Sequence, residues 1–313
     1  RVVAMQKIAV VGGGLIGQGW AVVFAQSGYE VAIYDPSADV RKTVRNTIKQ
    51  RISDLVSAEL VTAFLGEKML EQLTVAHSLE EAVDGVIYVQ ENGPEQIEIK
   101  KKLTAELDAF VSPDVPIGSS TSGISASRYC EELSGRHRCL VVHPINPPHL
   151  IPAVEIVPSP WTEKSIVTKV DEIMRNCSRE TILLNKEIDG FVVNRLQGAL
   201  LEEAFRLVGS GIVSAADLDK AISDGLGLRW SFMGPMKTIH LNAPEGVADY
   251  VERYGGMYQG FDLHADTDNS WHRVTRETLA AELEAAIPID DIPAAQADRD
   301  KKLMALLKHK QQK

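Results

Sequence analysis

Ile8-Ala9-Val10-Val11-Gly12-Gly13-Gly14-Leu15-Ile16-Gly17 is the stretch that decides the fold. Four apolar residues run directly into a G-x-G-x-x-G, and helix formers continue from Gln18 to Gln26, so the glycines fall at a strand-to-helix turn. Each glycine has a mechanical reason. Gly12 permits the tight turn, Gly14 lets backbone approach a pyrophosphate without a Cβ in the way, and Gly17 lets the helix pack closely on the strand. The helix amino terminus then offers N–H groups and partial positive charge to phosphates. The next apolar run, Val31-Ala32-Ile33-Tyr34, ends in Asp35, 18 residues after Gly17. A carboxylate there accepts hydrogen bonds from the adenosine ribose hydroxyls and repels the 2′-phosphate of NADP, so NAD is the expected cofactor. Asp35 also has an ordinary reading as a helix cap ahead of Pro36. A flavin or nucleotide-sugar ligand stays open for such a fingerprint, because a fold does not fix chemistry.

Outward from this motif, short runs rich in Val and Ile alternate with amphipathic stretches as far as Lys186, the pattern of parallel strands joined by crossover helices. Strands are predicted at Ile8 to Val11, Val31 to Tyr34, Leu73 to Ala76, Val86 to Gln90, Val115 to Ser119, Cys139 to His143, Val154 to Val157 and Thr181 to Leu184. From Asp189 the pattern turns helical, with Phe191, Arg195 and Ala199 opening one helix and Asp217 to Ser223 in the next. The acidic, Pro-punctuated stretch from Ala286 to Ala295 reads as a connection to a last helix through Leu303 and Leu307. The expected fold class is α/β: a Rossmann-type doubly wound sheet in residues 1–188, followed by an all-α domain in residues 189–313. Met5 is the expected natural start, with Arg1 to Ala4 a cloning remnant.

Bulk properties remove several function classes. A formal charge of −10 with no basic block disfavours nucleic acid as a partner. No apolar run reaches the roughly 18 to 20 residues of a bilayer span, so no membrane role is expected. Cys130, Cys139 and Cys177 are odd in number and lack paired spacing, which argues against a disulfide framework or a Cys-based zinc site and for a cytoplasmic setting. No His, Asp and Glu group has metal-ligand spacing either.

Three features downstream can carry chemistry. Ser119-Ser120-Thr121-Ser122-Gly123 follows a strand end, where ligands gather in doubly wound sheets. Cys139 to His143 ends another strand at an imidazole and enters Pro144-Ile145-Asn146-Pro147-Pro148. Glu155 follows twelve residues later in an apolar run. Oxidation of a secondary alcohol needs a group to take the hydroxyl proton, and imidazole suits that task near neutral pH. A carboxylate such as Glu155 would fix the ring tautomer and stabilise the imidazolium. On pattern alone His143 is equally a structural histidine in a Pro-rich turn, Glu155 a solvated acid, Ser122 a cap for a helix from Ile124, and Asn194 an interdomain polar contact.

Taken together, Gly12 to Gly17, Asp35, the segment ending at Ser122, His143-Pro-Ile-Asn146-Pro, Glu155 and Gly190-Phe-Val-Val-Asn194-Arg195 resemble the 3-hydroxyacyl-CoA dehydrogenase family over nearly the whole chain. The resemblance implies Ser122, His143, Glu155 and Asn194 at the catalytic centre, with His143 as base paired to Glu155, and Ser122 and Asn194 orienting substrate oxygens. It also implies Leu15 and Ile16 in the phosphate turn, cofactor contacts from Glu95 and Lys100, Asn146 on the cofactor side, and a homodimer through the helical domain. Asn194-Arg-Leu-Gln, Gly225-Leu-Gly-Leu-Arg229-Trp230 and Gly234-Pro-Met-Lys-Thr-Ile-His240 are most similar to the λ-crystallin branch, which includes L-gulonate 3-dehydrogenase. L-carnitine dehydrogenases resemble the same Arg-Trp region. Bacterial chains similar to it are often called 3-hydroxybutyryl-CoA dehydrogenases, which makes that activity an alternative, and a lens-type structural role is the non-enzymatic one.

Charge favours a free 3-hydroxy acid over a thioester. An acyl-CoA brings phosphates that need a basic landing surface, yet residues 37–72 set six bases against five acids. A free carboxylate prefers a planar guanidinium, and Arg229 is the candidate, with a capping or interface salt bridge as its ordinary alternative.

Overall fold

The central strand β1 (Lys7–Val11) is buried on both faces, which is why it reads as an unbroken apolar run rather than an alternation. In the computed structural model, which describes residues 5–263 and 271–311, it lies in an eight-stranded sheet. The other strands are β2 (Glu30–Tyr34), β3 (Leu73–Val75), β4 (Val86–Glu91), β5 (Ile117–Ser119), β6 (Cys139–Pro144), β7 (Ala153–Pro158) and β8 (Glu180–Leu183). Their order is β3-β2-β1-β4-β5-β6-β7-β8, with reversals on either side of β1 that make the sheet doubly wound. Connecting helices are α1 (Leu15–Gln26), α2 (Ala38–Ser57), α3 (Ala63–Glu71), α4 (Leu79–Val83), α5 (Ile97–Phe110), α6 (Ser127–Cys130) and α7 (Lys164–Asn176). The expected start at Met5 turns on Arg1 to Ala4, which lie outside the described residues.

The pleat sorts successive residues onto two cores. Ile8, Val10, Val31, Ile33, Tyr88, Leu140 and Val142 join α1, with Trp20 and Phe24 stacked at 5.2 Å, on one face. Ala9, Val11, Val89, Ile117, Val141 and Val157 form the core of the other.

All eight predicted strands are present, with two departures from expectation. β5 begins at Ile117 rather than Val115, because the Val115 N–H closes a turn on the Ser112 carbonyl at 3.0 Å and Pro116 has no N–H. β7 runs antiparallel to β6, whereas the remaining pairs are parallel. The connection from Ile145 to Pro152 is too short for the crossover of about a dozen residues that parallel strands require.

After β8 the chain is helical. α8 (Val193–Gly209) begins later than predicted, and Phe191 stands outside it in a turn with φ of 51°. A helix over Ala215–Lys220, capped by Ser214, passes through a π-helical turn at Ala221–Leu226 into Gly227–Trp230. Pro235–Leu241 and Val247–Gln259 follow. The last helix, Ile292–Gln311, starts inside the expected connection, since Pro293 sits in its first turn where a missing N–H costs nothing. Contacts divide the chain into two compact units, Arg1–Arg195 with Ala297–Lys313, and Leu196–Gln296. The last helix thus returns to the first unit, where Met304 is buried in the α1–α2 core.

Arg138 fastens the far edge of the first unit. Its side chain is 2% exposed, its Nη2 reaches Asp108 Oδ1 at 2.7 Å, and its other donors take the carbonyls of Asp108, Val111 and Ser112. Burial alone would raise the Asp108 carboxyl, but Arg138 and the Gly135 N–H hold it below its ordinary range. A carboxylate depressed in the folded state adds stability above its unfolded pKa and loses it as pH falls through the folded value. Arg138→Met is therefore expected to cost roughly 3 to 5 kcal/mol at neutral pH by stranding Asp108. Denaturant melts should show that deficit shrinking below about pH 4; a deficit that does not vary with pH would exclude the ion pair as its source.

Candidate active site

The phosphate turn has the geometry its glycines call for. Gly12 has φ of 101°, and a Cβ there would meet the Asn92 carbonyl oxygen at 2.7 Å. A Cβ on Gly17 would lie 1.8 Å from the Gly12 oxygen, whereas at Gly14 nothing stands within 4 Å. Gly14 is the N-cap of α1 and no side chain caps the helix there, which fits an anion in that place. Leu15 is exposed and Ile16 packs on the core. Asp35, at the end of β2, accepts from Gly13 N through Oδ2 and from Ser37 N through Oδ1, both at 2.8 Å. The cap of α2 is Ser37, not Asp35, so the capping alternative for Asp35 is set aside. A carboxylate has about four lone-pair sites, which leaves capacity for a ribose diol.

At the carboxyl end of the sheet, β6 and β7 pair so that His143 stands directly opposite Glu155. Directly paired side chains share a face of the sheet, and His143 Nδ1 meets Glu155 Oε2 at 2.7 Å. Glu155 is fully buried, and its other oxygen accepts the N–H groups of Val192 and Val193 at 2.7 and 2.9 Å. Burial would raise this carboxyl, but the His143 hydrogen bond and the two amides more than offset it and hold the group ionised below its ordinary range. An ionised carboxylate only accepts, so Nδ1 donates a proton to it, and in the neutral ring the lone pair is then on Nε2.

The Gly190-Phe191 turn makes this possible. With φ of 76° and 51° at the two residues, the chain bends so that the next two amides face Glu155. The buried Phe191 ring packs against the imidazole at 5.5 Å. Phe191 was expected in the helix; its left-handed backbone and its place against His143 are what hold it outside. Asn194, in the first turn of α8, donates from Nδ2 to the Ser122 carbonyl at 3.0 Å. Ser122 does not cap a helix from Ile124: Thr121 Oγ1 takes the Ile124 N–H at 2.9 Å, and α6 begins at Ser127.

Glu95 is half exposed and holds the Ser122 loop, accepting from Thr121 Oγ1 and from Gly123 N. Lys100 is 1% exposed and donates to both oxygens of the equally buried Glu91 at 3.2 Å, and to the Gly93 carbonyl. Asn146 lies exposed in the loop after β6. Arg229 belongs to the second unit, exposed beside a cavity of about 370 Å³ lined also by Trp230, Asn242, Tyr250 and Tyr258. Sequence reasoning missed Glu91, Thr121 and the Val192 and Val193 amides. A Gln-Glu pair closing an apolar strand was the available signal for Glu91; backbone amides give none. Among the described residues no group of three or more His, Cys, Asp and Glu is placed to hold a metal ion, and no helix is long and apolar enough to cross a membrane.

Comparison with known proteins finds relatives along most of the chain. The models of the 3-hydroxyacyl-CoA dehydrogenase NAD binding domain and C-terminal domain match residues 7–188 and 190–278. The chain is 41% identical over 252 residues to λ-crystallin of Oryctolagus cuniculus, covering 80% of this chain and 79% of that one. It is 35% identical over 284 residues to an L-carnitine dehydrogenase of Streptomyces coelicolor, covering 90% and 85%. The crystal structure of 5-formyl-3-hydroxy-2-methylpyridine 4-carboxylic acid 5-dehydrogenase, described as an NAD+-dependent dismutase, superposes with a TM-score of 0.80 at 26% identity over 96% of this chain and 97% of that one. With both domain models matched in order and a dinucleotide turn of the right shape, the chain belongs to the 3-hydroxyacyl-CoA dehydrogenase family and is an NAD-dependent oxidoreductase.

Proposed function

We propose that the protein oxidises the 3-hydroxyl of a free 3-hydroxy acid, with His143 as general base and Glu155 as its partner, and with L-gulonate as the leading substrate. The observation that carries this reading is the 2.7 Å contact of His143 Nδ1 with a buried, ionised Glu155, which leaves Nε2 as the proton acceptor. Bound NAD supplies the acceptor for the hydride that leaves the carbinol carbon. Nε2 takes the hydroxyl proton as the carbonyl forms, and Glu155 stabilises the resulting imidazolium. Ser122 and Asn194 orient the substrate oxygens. Glu95 and Asn146 serve the cofactor side, together with Asp35 on the ribose and Gly12, Gly14, Leu15, Ile16 and Gly17 at the pyrophosphate, while the buried Lys100 acts there through Glu91 and the Gly93 carbonyl. In this reading residues 1–188, completed by the last helix, hold NAD, and the rest of residues 189–313 binds substrate and forms a homodimer, for which light scattering should return twice the 34.3 kDa chain mass.

The free acid is favoured by how the bases of residues 37–72 are spent. Arg41 and Arg45 donate to backbone carbonyls, Arg51 to Gln18, and Lys42 and Lys68 pair with Asp39 and Glu71. With six bases against five acids the stretch keeps a surplus of one positive charge, little for the phosphates of CoA. The L-carnitine dehydrogenase relative points the same way, since L-carnitine is itself a free 3-hydroxy acid. The three cysteines are free and buried, which suits the cytoplasmic setting.

The deciding experiment follows NADH formation with L-gulonate, L-carnitine, 3-hydroxybutyrate and 3-hydroxybutyryl-CoA. Turnover is expected with a free acid, and His143→Ala should lower kcat by roughly 10²- to 10⁴-fold. Preference for the thioester would reject the substrate assignment, full activity in His143→Ala would reject the base, and no turnover with any of the four would favour a structural role. Arg229→Ala is expected to raise KM for the acid roughly ten- to hundredfold, the worth of a charge-assisted pair, without changing NAD affinity. An unchanged KM would remove Arg229 from the substrate site.

A further inference from the structure

Gly13, between Gly12 and Gly14 of the dinucleotide turn, has its peptide held on both sides by side chains. Its N–H donates to Asp35 Oδ2 at 2.8 Å, and its carbonyl accepts from Gln18 Nε2 at 2.9 Å. Gln18 is the fourth residue of α1 and is buried. Its Oε1 accepts from both Nε and Nη2 of Arg51 on α2, each at 3.2 Å. The direction of this chain of bonds is fixed by chemistry. A guanidinium has donors only, so the Gln18 oxygen must face Arg51 and its NH2 must face the Gly13 carbonyl.

Simple filling of space does not require this arrangement. A leucine or methionine of similar volume would pack in α1 without two polar ends that must both be partnered. Nor is the approach of α2 accidental. A Cβ on Gly13 would lie 2.8 Å from Val40 Cγ1 and 3.3 Å from Val44 Cγ2, so α2 rests directly on the turn. Val40, Val44, Ile48 and Arg51 recur at three- and four-residue steps, which places Arg51 on the same face of α2, farther along the helix. Burial opposes the Arg51 charge, while Asp300 of the last helix and Asp54 support it.

We propose that Gln18 and Arg51 are positioning residues for dinucleotide binding: the Arg51–Gln18–Gly13 relay, closed on the other side by Asp35, holds the turn open to the pyrophosphate. Both side chains end on protein groups, Gln18 on the Gly13 carbonyl and Arg51 on Gln18. Each acts through the Gly13 peptide, so the effect must fall on the pyrophosphate rather than on the nicotinamide. The proposal is independent of which acid is the substrate.

Calorimetric titration of the full chain with NAD, and with ADP-ribose, which keeps the pyrophosphate but lacks nicotinamide, tests it. Gln18→Leu removes both bonds. Gln18→Glu keeps an acceptor for Arg51 but turns a carboxylate oxygen toward the Gly13 carbonyl. Both variants are expected to weaken the two ligands equally, by roughly three- to tenfold. Arg51→Met should weaken them less, and Arg51→Lys, which keeps one donor for Gln18, should recover most of that loss. Affinity within twofold of wild type in Gln18→Leu, or a loss seen with NAD but not ADP-ribose, would overturn the proposal. Should Gln18→Leu fail to fold, Gln18→Glu and the two Arg51 variants decide by the same criteria.

Discussion

The two oxygens of Glu155 do different work, and the rest of the site depends on both. One oxygen fixes the His143 ring, and the other caps the chain just where α8 begins. A lone buried carboxylate would be driven toward protonation. Here an imidazole N–H and two amides compensate it, and the ionised carboxylate requires that Nδ1 be the nitrogen that donates. The same contact fixes the first turn of α8, and with it Asn194, relative to the Ser122 loop. Removing one oxygen's partners would thus disturb the other's.

A second set of buried charges stands behind this one. Lys100 and Glu91 form an ion pair excluded from solvent, and Ser119 donates to Glu91 at 2.5 Å. Glu95 extends the network to Thr121 and the loop that carries Ser122. Residues that pattern reading treats as separate motifs, a strand end, a helix start and a serine-rich turn, are joined into one hydrogen-bonded floor. Such networks fix geometry because every member is satisfied; a partly satisfied one would cost more than an apolar core.

How much of this was legible in the sequence depended on the range of the interaction. Strands buried on both faces announce themselves as apolar runs, and Gly12, Gly14 and Gly17 have local reasons to be glycine, so the fold and the cofactor could be read directly. His143 and Glu155 could be read as candidate partners, but nothing in the periodicity showed that they face each other. Their pairing depends on the antiparallel return of β7, which is set by a short loop and not by periodicity. Phe191 looked like the first residue of a helix stripe because an apolar residue three or four positions ahead of others satisfies that template whatever its backbone does. Its φ of 51° goes with a ring contact to His143, 48 residues away, and turns the amides of Val192 and Val193 to Glu155, 37 and 38 residues away. Glu91, Thr121 and Gln18 act through bonds across the fold, and such bonds leave no repeating trace in the chain.

The return of the last helix makes the second unit an insertion in the first. The cofactor-binding unit is discontinuous in sequence, so its α1–α2 core is completed only by Met304, Leu303 and Leu307, after all of Leu196–Gln296 has been made. During synthesis the amino-terminal portion must wait with that apolar surface uncovered. A fragment ending at Arg195 would inherit the same exposure permanently. Cutting between the two halves of the sequence therefore does not yield a self-sufficient dinucleotide module, however complete its strands and glycines look.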